Sequence, residues 1–92
     1  MRIQTYNKLL SLQNEYNQLS EQTKMLSNKY DALVGFLSTV QVNQSHMTKS
    51  EYSKVVSVRN NCKNLESQIT RNMRRLTSIG RKISETNARM MR

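Results

Sequence analysis

The chain has no proline and no tryptophan, a single cysteine, a single histidine, one phenylalanine and only two glycines in 92 residues. Without proline, little but Gly35 and Gly80 weakens a long helix, each by about 1 kcal/mol relative to alanine. One cysteine excludes an intrachain disulfide, and His46 and Asp31, each alone of its type, build no cluster of metal ligands. Paired carboxylates on a pocket, a nucleophile beside a base and a glycine-rich phosphate loop are also missing, so neither an enzyme nor a bound cofactor is expected. Only 36% of residues are apolar, too few for a thick globular core. No apolar run approaches the roughly 18 residues of a membrane span. The opening Met-Arg-Ile-Gln-Thr-Tyr lacks the apolar centre of a secretory signal. The expected location is the cytoplasm, or export by a route that uses no cleavable signal peptide. Cys62 fits as a small core filler whose unpaired thiol suits a reducing compartment.

What the chain does have is two apolar rows in alternating steps of three and four. The first is Leu9, Leu12, Tyr16, Leu19, Thr23, Leu26, Tyr30, Leu33, Leu37, Val40. The second is Val55, Val58, Cys62, Leu65, Ile69, Asn72, Leu76, Ile79, Ile83, Thr86, Met90. That spacing keeps a narrow seam on each helix and asks for a partner helix along it. The reading is all-α: one domain over residues 1–92, an antiparallel two-helix hairpin with a coiled-coil-like seam that completes a helical bundle with a second chain. Helix one is expected over about 5–42, the turn over 43–48 and helix two over about 49–91. Asn43 suits a left-handed C-cap. Thr48-Lys49-Ser50-Glu51 matches a capping box, with Met47 and Tyr52 at hydrophobic-staple spacing around it. Asn43-Gln44-Ser45 also fits the glycosylation pattern, a motif short enough to occur by chance.

The rows suggest a register. Setting Val40 on Val55 brings Leu33 to Cys62, Tyr30 to Leu65, Leu26 to Ile69 and Tyr16 to Ile79. It also brings Thr23 to Asn72, the two polar residues of the central layers. A slip of one heptad would set the amide against an apolar residue, a cost on the order of 1–3 kcal/mol, so Thr23 and Asn72 are the candidate register layer. Gly35 stands apart, within Leu33-Val34-Gly35-Phe36-Leu37. It is tolerated on an outer face, or marks a kink or a close backbone approach, or ends helix one so that residues 39–42 run extended.

Two surfaces are candidates for function. Residues 43–92 hold eleven of the fifteen basic side chains and three of the six acidic ones, a net +8 of the chain's +9. Arg71, Arg74, Arg75, Arg81, Lys82, Arg89 and Arg92 form a basic stripe that suits phosphates or an acidic partner. The plainer reading is a solvated face, with Arg75 and Lys82 flanking Glu15 and cations favouring the helix C-terminus. No aromatic residues interleave with the stripe for base stacking. The other surface is apolar and lies near the turn: Val34, Gly35, Phe36, Val42, Met47, Tyr52 and Val56, mostly off the seam. Such a cluster suits contact with a second protein.

A chain of this size and shape, with Leu33-Val34-Gly35 near the middle, resembles the small Trp-x-Gly proteins of type VII secretion systems, and more closely the helical partners that accompany LXG toxins. It departs from them in having no tryptophan, in reading as helix beyond Gly35 and in lacking a C-terminal aromatic-x-x-x-acid export signal. The resemblance implies an adaptor, chaperone or targeting factor that binds the helical region of a larger, secreted protein. The expected partners are therefore a helical protein or a second copy of the chain. A basic hairpin dimer on nucleic acid is the alternative.

Overall fold

The computed structural model describes residues 3–42 and 47–91, with only the backbone described for residues 41 and 42. Two helices make up the fold, α1 over Ile3–Val42 and α2 over Lys49–Met90, packed against one another as an antiparallel hairpin. Among the described residues no helix is long and apolar enough to cross a membrane. The proposed Asn43 cap, the Asn43-Gln44-Ser45 motif and His46 lie outside the described residues, as do the side chain of Val42 and all of Arg92.

The start of α2 follows from its sequence. Thr48 Oγ1 accepts the Glu51 backbone N–H at 3.2 Å, and the Tyr52 N–H reaches the Thr48 carbonyl at 3.0 Å. This satisfies donors that a helix start otherwise leaves open. The box forms on one side: among the described residues the Glu51 carboxylate makes no return bond to Thr48. Met47 is half-buried and Tyr52 is exposed, and the two border one depression at the helix start.

The chain divides into two compact units. The outer unit joins Met1–Lys24 to Thr70–Arg92. Its most buried side chains are Leu9, Leu19, Thr23, Ile79 and Thr86, with Leu12, Asn72, Leu76, Ile83 and Met90 half-buried. All occupy the three-four rows. Tyr16 is the seam residue left most open, and its ring edge faces Gly80: a β-carbon built there would lie 3.8 Å from Tyr16 Cε2. The turn-side unit, Met25–Ile69, buries Val55 and Cys62 and half-buries Leu26, Tyr30, Leu33, Leu37, Val40, Val58, Leu65 and Ile69. Cys62 is an unpaired thiol inside that seam.

The expected polar layer takes a different form. Thr23 is buried, but its hydroxyl donates to the Leu19 carbonyl at 2.7 Å, and among the described residues no hydrogen bond joins Thr23 to Asn72. A threonine on a helix always has the carbonyl four residues back within reach, and that intrahelical acceptor outcompetes a side chain across the seam. Thr86 does the same with Lys82, at 2.7 Å. Other pairs join the helices: Tyr30 to Glu66, Glu15 to Arg75 and Tyr16 to Gly80.

Gly35 is helical, without positive φ, and a β-carbon there would meet nothing within 4 Å. Helix one neither ends nor turns extended at this point. The Val34 and Gly35 carbonyls each accept an added bond, from the Ser38 and Thr39 hydroxyls at 3.0 Å. Gly35→Ala should therefore raise stability by about 0.5–1 kcal/mol through helix propensity and unfolded-state entropy. Gly80→Ala should do at least as well, since its methyl gains van der Waals contact with Tyr16. Thermal unfolding followed by circular dichroism would show each as a rise of several degrees, on the scale of about 4–8 °C per kcal/mol for a domain of this size. A fall at Gly35 would reveal a neighbour approaching that backbone.

Candidate interaction surface

Labelling each heptad a to g, with the seam at a and d, sets residues g and c on one flank and e and b on the other. In an antiparallel pair, g faces g and e faces e. The structure marks both flanks. Glu15 and Arg75, both g residues, form an ion pair at 3.0 Å in the outer unit. In the turn-side unit Tyr30 Oη donates to Glu66, an e residue, at 2.5 Å.

The apolar residues near the turn divide between these flanks. Phe36, at g and 44% exposed, lines a groove with Met47, Thr39, Val40, Glu51, Lys54 and Val55. Met47 also borders a depression shared with Tyr52, which is 54% exposed. Val34 and Val56, both exposed, fall at e and b on the other flank and do not line the Phe36 groove. Gly35 lies between, on the outer face. The structure thus brings Phe36 and Met47 to one groove, sets Tyr52 in a separate depression on the far side of Met47, and leaves Val34 and Val56 apart.

Periodicity alone gave no sign of a second groove on the g flank of this unit. Leu33, Leu65 and Ala32 form its apolar lining, with Lys29, Asn61, Asn64 and Gln68 around them. The signal was present in the residue types: Asn61 and Gln68 are uncharged where coiled-coil flanks usually carry charge, and they leave the seam leucines uncovered. On the other flank the Tyr30–Glu66 bond lies across the seam. Accepting that bond, the Glu66 carboxylate holds the Tyr30 phenol above its usual pKa of 10.0, helped by burial and by the negative charge itself. The stabilisation is complete below pH 10 and disappears only as pH rises through the elevated value.

The basic stripe is open. Arg71, Arg74, Arg75, Arg81, Lys82 and Arg89 are all exposed. Among the described residues only Arg75 of the stripe meets a carboxylate, that of Glu15, with the two side chains 65% and 44% exposed. So wet a pair contributes about 0–1 kcal/mol. Lys82 does not join it, although the sequence suggests both cations around Glu15. Arg89 lies in the last turn of α2, where a cation favours the helix dipole.

Among the described residues no three His, Cys, Asp or Glu side chains gather where they could hold a metal ion. In comparisons with known proteins, no family model, no curated protein and no solved structure matches this chain.

Proposed function

We propose that the hairpin is a non-catalytic protein–protein interaction module that needs no cofactor. It acts as an adaptor, chaperone or targeting factor that takes up the helical region of a larger protein, and the type VII secretion resemblance suggests a secreted toxin as that protein. The observation that carries this reading is the groove lined by exposed Phe36 and half-buried Met47, beside a seam whose turn-side leucines are only half-buried. Interface centres favour aromatic and methionine side chains and exclude charge, and truncating such an anchor costs on the order of 2 kcal/mol or more. Exposed cations mostly set association rate and salt response.

Two double variants, assayed for co-purification with the product of the neighbouring gene, test the proposal. Phe36→Ala with Met47→Ala should abolish binding. Arg74→Gln with Arg81→Gln should weaken it only at low salt. The reverse result retires this reading and favours the second one, a nucleic-acid or acidic-surface binder. What supports that alternative is the run of exposed cations along α2, of which, among the described residues, only Arg75 meets a carboxylate.

A further inference from the structure

Charge in the outer unit is sorted by face. Described residues 3–24 and 70–91 carry eleven charged side chains. Ten of them, including Arg71, Arg74, Arg75, Arg81, Lys82 and Arg89, occupy heptad positions g, c or f. Positions e and b hold only Lys24, at the unit's inner limit. The rest of that face reads Ile3, Tyr6, Leu10, Gln13, Asn17 and Ser20 on α1, and Thr70, Met73, Thr77, Gly80, Ser84, Asn87 and Met91 on α2. Several of its apolar members stand well out of the fold: Ile3 is 77% exposed, Met73 58% and Leu10 41%. In the turn-side unit the equivalent positions carry Asp31, Arg59, Lys63 and Glu66, so the neutral face belongs to the outer unit alone.

We infer that this uncharged face is where a second copy of the chain packs, giving a four-helix bundle in the outer unit. Surface area is the first argument. The face is about 26 Å long from Ile3 to Ser20 and about 20 Å wide across two helices, and so supplies on the order of 500 Å² per copy before side-chain relief is counted. That reaches the roughly 1,000 Å² total expected of a specific contact.

Charge is the second argument. An acidic or phosphate-bearing partner would be drawn to the cationic g, c and f side and has nothing to recognise on the neutral one. Two strongly basic copies, by contrast, associate with least repulsion through the face that carries no charge. Their arginines then lie on the outside, about 20 Å or more apart across the bundle, beyond two Debye lengths at physiological salt. Four antiparallel helices packed near 20° with a shared apolar centre are a standard stable arrangement.

This inference concerns a different surface from the turn-side cluster and stands or falls separately. The full-length chain, analysed by sedimentation equilibrium at micromolar concentrations, should be a dimer. Leu10→Lys with Met73→Lys adds like charges to the neutral face at positions already exposed in the hairpin. It should weaken dimerisation by about 100-fold or more, with helicity by circular dichroism retained. Ser84→Lys, which adds charge and removes no apolar contact, should act in the same direction and guards against loss of fold in the double variant. Arg74→Glu with Arg81→Glu should leave the dimer intact. A wild-type monomer at 100-fold higher concentration overturns the inference, as does a dimer indifferent to both lysine variants or one dissociated by Phe36→Ala with Met47→Ala instead.

Discussion

Ile79→Ala is expected to lower stability by about 2–4 kcal/mol, the usual cost of emptying a buried isoleucine position. Ile79 is 4% exposed on the α2 seam of the outer unit, next to Gly80, which the Tyr16 ring faces. Two helices have few other side chains with which to close such a cavity. A chain of 92 residues has a total stability of only about 5–14 kcal/mol, so the midpoint should fall by roughly 10 °C or more. The control is Met25→Ala, at a side chain 61% exposed, which should shift stability by no more than about 0.5 kcal/mol. Both are read by thermal and urea unfolding at one protein concentration. Equal effects would mean that the seam is not where the fold is held.

Asn72→Leu should act in the opposite direction, raising stability by about 1–2 kcal/mol. Asn72 is half-buried on the α2 seam, and among the described residues it is not bonded to Thr23. Leucine there removes the desolvation of an amide and adds apolar burial. Because the two polar residues do not bond to each other, a cycle with Thr23→Val should give a coupling energy below about 0.5 kcal/mol. Register should survive the change, since Glu15–Arg75 and Tyr30–Glu66 join the helices without using either residue of this layer. A coupling of about 1 kcal/mol or more, or a variant that populates several oligomers, would restore Thr23 and Asn72 as the register-setting pair.

The helical hairpin was legible because a narrow seam must repeat. Every member of the two three-four rows is buried or half-buried except Tyr16, at 37% exposure. The α2 start was legible too, because Thr48 has one chemical use three residues ahead of Glu51. Side-chain choices with local competitors were less so. Thr23 took the backbone of its own helix as acceptor, a choice that spacing along the chain does not encode. The turn-side cluster looked like one patch in linear order, yet heptad phase sends Phe36 and Val34 to opposite flanks of the seam. The neutral e and b face was readable as well, but attention to where the cations gather obscures where they are missing.

Salt dependence of binding tests the central claim most directly. The affinity of the hairpin for the proposed helical partner should be measured between 50 mM and 200 mM salt. Burial of Phe36 and Met47 predicts a change of no more than about threefold, because apolar association barely responds to screening. A loss on the order of 10³-fold over that range, with comparable binding to nucleic acid, is the signature of several phosphate contacts. That result would contradict the account and hand the function to the arginines.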